Sequence, residues 1–576
     1  MRAASLVGVL ILARMLALAG RDLPFSVWLP SALLWQDVAV GLVFWLVDRA
    51  LGRPRLAWTA YAILVAWIAI NVVVMRELSS PLTVPMLRAT GGALADSIAY
   101  YVTTGNVAMI AAVVAAGVFL PRVAVPPRLR KAGVLAAVAM ALPGPFVGSR
   151  VETHGAQRNA VTALLATVVP RVSSHAGDPG TDWRVSPFGT APADDLGAFR
   201  GLAAGRNVVM VILESTGAQY LRSYGAADDP MPTLTALSTR AVQFESAYAV
   251  YPESVKGLFA VLCSRAPAFD VSVHVHAAAP CSPLAQVLSR AGYRTALFHS
   301  GRFGYLGMDA LIARQGFDTR EDAGAIGGNV ESSFGVDEPA TVARMLSWID
   351  GQDRTRPFFL LYMPVAGHHP YATPDPGPFS DPGERGAYKN ALHHGDRSLR
   401  ALVDGLRTRG LEPQTMVVIF GDHGEAFGQH DGNYGHTIFA YEENVRVPLV
   451  ISIPGVTTSS TRARQVASVI DIAPTILDLV DIPPPADYQG SSLLSGPGRL
   501  ALFYTDYALG WVGLRDGCWK YLLEIDANRS KLFDVCADPG EARDRAGEHR
   551  ARVGTYRDHA LGWLAASRET LGHTAP

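Results

Sequence analysis

The sequence predicts an α/β protein carried behind an N-terminal bundle of about five transmembrane helices, and three observations lead to that class. Apolar runs of near membrane-crossing length are confined to the first 150 residues. Short β-branched runs then alternate with helical patterns, as in a mainly parallel sheet covered by helices. Four of those runs end in a residue able to bind a metal or move a proton.

The apolar runs fall at Ser5–Ala19, Val27–Val47, Ala57–Met75, Asn106–Leu120 and Ala132–Val147, each near the ~20 residues that cross a bilayer core. They explain a hydrophobic content of 49%, high for a wholly soluble enzyme of 576 residues. The first run also fits a signal peptide, but four further runs favour a multi-span anchor. Arg49, Arg53 and Arg55 crowd one loop, and Arg122, Arg128, Arg130 and Lys131 crowd another two spans later. Basic loops stay cytoplasmic, so an odd number of spans predicts that everything after residue 150 lies on the outer side of the plasma membrane.

The cysteine positions agree with an oxidising compartment. All four (Cys263, Cys281, Cys518, Cys536) lie in the outer part, in two sequence-local pairs. Disulfides Cys263–Cys281 and Cys518–Cys536 are the simplest pairing of the three possible, with buried thiols as the alternative. The net charge of −1 and the lack of a long basic stretch argue against a nucleic-acid partner.

These features divide the chain into a transmembrane domain (1–150), a Gly-, Pro-, Ser- and Asp-rich linker (151–203), a catalytic domain (204–500) and a terminal subdomain (501–576). In the last, alternating apolar residues flank a turn-like "DANRS", which predicts a hairpin beside the Cys518–Cys536 pair.

Within the catalytic domain "NVVMVIL" runs into Glu214, "RTALF" into His299, "FFLLYM" towards His368 and His369, and "MVVIF" through Gly421 into Asp422 and His423. Open α/β sheets bind ligands beyond the carboxyl ends of their strands, so these residues can converge. Two carboxylates and a neutral imidazole make a mixed O/N site suited to one divalent ion, Zn²⁺ or Mn²⁺, with a position left for a hydroxyl nucleophile.

Seven segments in order, among them "NVVMVILESTGAQYLRSYG", "YPESVKGLFAVLCSRAP", "GHHPY", "GDHGEAFGQH" and "YEENVRVPLVISIPG", resemble the alkaline phosphatase and sulfatase superfamily, which implies a doubly wound catalytic fold. Laid through Pro267 on the sulfatase C/S-x-P-x-R pattern, the nucleophile falls on Ser254. Lys256 and Leu258 stand where that pattern has its proline and arginine, which argues against conversion to formylglycine. Glu214 is followed by Ser215 rather than by a second acid, similar to lipoteichoic acid synthases and lipid A phosphoethanolamine transferases.

That resemblance implies metal ligation by Glu214, Ser254, Asp422 and His423, and phosphate contacts from His299, His368, His436 and Lys256. It implies ping-pong transfer of a phospho-head group from a membrane phospholipid, through phospho-Ser254, to a glycan, lipid or polymer acceptor of the envelope. Phosphoglycerol is favoured over phosphoethanolamine, because the S-x-P-C pattern of the phosphoethanolamine enzymes is missing. The alternatives are a sulfatase-like hydrolase or phosphodiesterase of the same superfamily, and a non-catalytic binding protein, against which the full acid, hydroxyl and Asp-His set argues.

Overall fold

The computed structural model describes residues 1–89, 95–123, 126–168, 171–172, 181–189, 193–332, 335–336, 338–494, 496–508 and 510–572. Its N-terminal region is helical at all five expected places: Arg2–Leu18, Leu29–Leu51, Pro54–Leu78, Thr104–Phe119 and Pro127–Ala141. The second helix stops at Gly52, whose positive φ of 58° suits glycine, and Pro54 then opens the third, where its missing N–H costs nothing.

Three stretches, Leu29–Ala50, Pro54–Leu78 and Thr104–Arg122, are long and apolar enough to cross a membrane. Among the described residues, three of the five expected helices meet that length and apolarity. The helices Arg2–Leu18 and Pro127–Ala141 have 17 and 15 residues, about 26 and 22 Å at 1.5 Å per residue, against a ~30 Å hydrocarbon core.

Arg14 and Asp37 form a buried ion pair between the first two helices at 2.9 Å. Asn159 donates to the same carboxylate at 2.7 Å, and Arg14 also donates to the Ala156 carbonyl. Breaking such a pair strands a buried cation. Asp37→Ala is expected to cost about 3–5 kcal/mol, read as a lowered melting temperature of the detergent-solubilised chain; an unchanged melting temperature would show that the pair is dispensable.

Within the expected 151–203 linker, residues 152–159 bridge the N-terminal helices and the terminal subdomain. Glu152 lies 2.9 Å from Arg529 and 2.5 Å from Lys531, and Gln157 donates to Glu524 at 3.1 Å. The stretches 169–170, 173–180 and 190–192 of the expected linker lie outside the described residues.

The strands are β1 Asn207–Leu213, β2 Val242–Tyr248, β3 Arg294–His299, β4 Thr319–Glu321, β5 Val330–Ser332, β6 Gly335–Val336, β7 Phe358–Met363, β8 Thr415–Gly421, β9 Ala426–Phe427, β10 Tyr434–Gly435, β11 Arg446–Val447, β12 Leu449–Ser452 and β13 Thr461–Ser468. The central sheet runs β11-β2-β12-β8-β1-β7-β3-β4, with β13 also on β2. Strands β8, β1, β7, β3 and β4 are mutually parallel, as the alternation predicts, while β12 is antiparallel to both neighbours.

β1 is buried along its whole length. Val208, Met210 and Ile212 point into one core, and Val209, Val211 and Leu213 into the other. A strand covered on both faces reads as an unbroken apolar run because neither side meets water.

The terminal subdomain is an antiparallel meander, β14 Ala501–Thr505, β15 Trp511–Asp516, β16 Trp519–Glu524 and β17 Arg529–Asp534, followed by the helix Arg550–Gly572. The expected hairpin is the β16–β17 pair, with Asn528 at a positive φ of 53° in its turn. Both disulfides, Cys263–Cys281 and Cys518–Cys536, are formed.

Candidate active site

β1 and β8 are parallel neighbours with Leu213 opposite Gly421, so the residues that follow them, Glu214 and Asp422, emerge side by side. Two glycines permit the crowding. A Cβ on Gly367 would stand 2.1 Å from the Glu214 carbonyl, and one on Gly424 would stand 2.1 Å from that of Glu443.

Asp422 Oδ1 accepts the backbone N–H groups of Ser215 at 2.9 Å and His423 at 2.8 Å. His423 Nδ1 lies 3.0 Å from the Gly424 carbonyl; with its proton there, Nε2 keeps a free lone pair. That Nε2 is buried without a hydrogen-bond partner among the described residues, 3.4 Å from Asp422 and 3.6 Å from Glu214. Ligand atoms of Glu214, Asp422 and His423 all lie within 4.8 Å of one another.

Burial, and then the charge of Asp422, push the Glu214 carboxyl up to about 8. For His423 burial works the other way, but the carboxylates of Asp422 and Glu214 outweigh it and the imidazole is raised. Two crowded acids and an orphaned imidazole nitrogen make a cavity for positive charge, and the set fits a single divalent cation with O and N ligands.

Ser254 is the first residue of the helix Ser254–Cys263, whose preceding residue, Glu253, caps it by accepting the N–H groups of Val255 and Lys256. The Ser254 Oγ donates to Glu214 Oε2 at 2.9 Å. An oxygen at a helix N-terminus sits in the positive end of the dipole, which favours a developing alkoxide or phosphate.

The predicted histidines gather around this group. His436 stacks on His423 with ring centres 4.0 Å apart, its Nδ1 held 2.8 Å from Glu425. His368 lies edge-on to His436 at 6.4 Å with its Nδ1 2.7 Å from the His369 carbonyl, and burial drives it down to about 3. His299, at the end of β3, has its Nδ1 2.9 Å from the Met363 carbonyl; burial lowers it while Asp422 is among the charges that act on it.

Lys256 is engaged by Asp506. Its Nζ lies 3.0 Å from both oxygens of Asp506 and 4.4 Å over the Tyr251 ring, so its charge is already matched. His430 rests against Glu443 at 2.7 Å and stacks on Tyr441.

Sequence reasoning missed three participants. Ser215, at a positive φ of 52°, donates to Glu214 Oε1 at 3.0 Å. Glu425 accepts from Tyr371 at 2.9 Å as well as holding His436. Asp506 pairs with Lys256 from 250 residues away. Only Glu425 carried a signal, as the acid of "GDHGE". Glu425→Gln removes the carboxylate that orients His436, and turnover is expected to fall about 10- to 100-fold, measured as kcat; unchanged kcat would free His436 from any need of that support.

A cavity of about 730 Å³ opens beside the Ser254–Cys263 helix, lined by Tyr251, Glu253 and Lys256 and by Val84, Pro85 and Arg88 of the N-terminal region.

Comparison with known proteins bears on this arrangement. Residues 206–482 match the sulfatase family, and residues 430–552 match the C-terminal region of N-sulphoglucosamine sulphohydrolase. Arylsulfatase K of Bos taurus is 31% identical over 167 residues, covering 25% of this chain and 30% of the relative. The lipoteichoic acid synthase-like YvgJ of Bacillus subtilis strain 168 is 23% identical over 318 residues, covering 51% of each. The chain thus spans no more than about half the length of these curated relatives. The crystal structure of the lipoteichoic acid synthase LtaP of Listeria monocytogenes superposes with a TM-score of 0.56 at 18% identity, over 67% of this chain and 96% of that one, a likeness of fold.

Proposed function

Taking as premise that residues 206–482 are a sulfatase-family domain of the alkaline phosphatase and sulfatase superfamily, we propose that this chain transfers a phospho-head group, phosphoglycerol in preference to phosphoethanolamine, from a membrane phospholipid to an envelope acceptor through Ser254. The observation that carries the reading is the Ser254 Oγ donating at 2.9 Å to Glu214 within the Glu214, Asp422 and His423 group.

A divalent cation held by Glu214, Asp422 and His423 would favour the ionised Ser254 hydroxyl and offset charge on the phosphoryl oxygens. Ser254 passes its proton towards Glu214 and attacks the phosphorus; the bond from phosphorus to the diacylglycerol oxygen breaks. His368, neutral through burial, serves as a hydrogen-bond partner to phosphate oxygens. That leaves His436, seated on Glu425, to protonate the leaving alkoxide. An acceptor hydroxyl then attacks the phosphorus of phospho-Ser254 and gives its proton to the now neutral His436; the bond from phosphorus to the Ser254 oxygen breaks, and Glu214 returns the proton to that oxygen.

Donation from a lipid accords with the 730 Å³ cavity, whose wall is shared by the nucleophile helix and Val84, Pro85 and Arg88. The loops after the first and third helices touch the catalytic domain through Arg21 at Asp431 (3.2 Å) and Ser79 at the Gly432 carbonyl (2.5 Å), and the terminal subdomain through Thr83 at the Tyr507 carbonyl (2.7 Å). These three contacts, made by two loops on one side of the helices, support a catalytic domain on the outer side, opposite the basic loops.

A second reading, sulfatase-like hydrolysis, draws on the likeness to arylsulfatase K. Incubation of the metal-loaded full chain with phosphatidylglycerol and with an aryl sulfate separates the two. Diacylglycerol release without sulfate release is expected; sulfate release with Ser254 oxidised to formylglycine would overturn the transferase reading.

A further inference from the structure

Away from Ser254, a second cavity of about 300 Å³ opens where the β2, β11 and β13 end of the central sheet meets the terminal subdomain. One arginine reaches it from each of three strands: Arg446 from β11, Arg462 from β13 and Arg515 from β15. Strands so far apart in sequence have no packing reason to converge three guanidinium groups on one hollow.

Arg515 is the most telling. It is 5% exposed, yet its Nε and Nη1 have no hydrogen-bond partner among the described residues. Its remaining nitrogen only approaches the sulfur of Cys536 at 3.8 Å, and its guanidinium carbon sits 6.0 Å from the Tyr248 ring centre. A buried cation with unmatched N–H groups is costly unless an acceptor completes it.

The acids nearby do not complete it. Glu442 is engaged by Lys520 at 3.1 Å and accepts from Tyr248 at 3.1 Å. Among the described residues the Glu245 carboxylate pairs with Arg462, at 3.5 Å, while Arg446 donates to the Glu245 backbone carbonyl at 2.9 Å. Arg462 donates also to the Ser223 carbonyl at 3.1 Å. Lys520 is shared between Glu442 and Glu541, at 3.1 and 3.0 Å, so with Arg446, Arg462 and Arg515 four cations face the three carboxylates of Glu245, Glu442 and Glu541, and the cavity is net positive.

We propose that this cavity binds a tetrahedral oxyanion, a phosphate or sulfate group, at a site separate from the Ser254 centre. Donors arriving from three strands suit oxygens that point in several directions better than they suit a planar carboxylate. The ion is either free in solution or carried on an envelope polymer; the chemistry read by the arginines is the same. The inference does not rest on the transferase reading, since no residue of the Ser254 centre lines this cavity.

The test is equilibrium dialysis of labelled inorganic phosphate against the detergent-solubilised full chain, in wild type, Asp422→Ala, Arg462→Gln and Arg515→Met. Phosphate binding that survives Asp422→Ala and weakens about tenfold or more in each arginine variant is expected. Arg462 is half exposed, so its variant tests the site even if Arg515→Met unfolds. Displacement by a glycerol-phosphate oligomer at lower concentration than by inorganic phosphate would identify a polymer-borne group, and equal displacement by inorganic sulfate a free ion. Binding that disappears with Asp422→Ala, or that Arg462→Gln leaves unchanged, would overturn the proposal.

Discussion

Ser254→Ala is expected to lower turnover by a factor of about 10³ or more while the chain stays folded. The hydroxyl is the one group aligned at once with Glu214, at 2.9 Å, and with the N-terminus of its own helix. Its removal deletes one hydrogen bond, worth about 1 kcal/mol, and leaves the Glu253 cap in place. Activity and a melting curve, measured on the same preparation, separate the two effects. Residual activity near wild type would mean that another group makes the covalent bond, whereas a collapsed melting curve would move Ser254 from chemistry into structure.

Asp422→Ala should be the second severe variant, losing bound metal and activity together. The side chain does two jobs: Oδ1 accepts two backbone N–H groups, and Oδ2 faces the orphaned His423 Nε2 at 3.4 Å. The alanine variant abandons both, so some loss of stability accompanies it. Asp422→Asn keeps an acceptor for the backbone while removing the charge, and is expected to hold the metal about 100-fold more weakly or worse with a nearly normal melting curve. Metal content after dialysis, by elemental analysis, is the readout. Full occupancy in an inactive Asp422→Asn protein would remove this carboxylate from the ligand set.

Much of the centre was legible because strand burial writes itself plainly. An unbroken apolar run ending in an acid, as in "NVVMVIL" before Glu214 and "MVVIF" before Asp422, is a buried strand delivering a charge to a sheet edge. The disulfides were legible from local spacing. Contacts between distant segments left no such trace. Asp506 neutralising Lys256 and Glu425 supporting His436 are set by tertiary packing, to which composition and periodicity are blind. The tyrosines at 100 and 101 that pack against His369 belong to the membrane region, where apolarity alone was being read. The linker misled for a related reason: polar, Gly-rich residues there bury themselves by pairing, Arg158 with Asp526 and Glu152 with Arg529. Hydropathy locates an apolar run without fixing how many of its residues become helix, and the first and last of the five runs form helices of 17 and 15 residues.

Intact mass spectrometry of the metal-loaded full chain, after brief exposure to phosphatidylglycerol or phosphatidylethanolamine without acceptor, tests covalent transfer at Ser254 most directly. A mass increase equal to one phospho-head group, found in wild type and missing in Ser254→Ala, is the predicted result, and its size names the head group. Release of head group with Ser254 unmodified throughout, or an adduct that persists in Ser254→Ala, would contradict it.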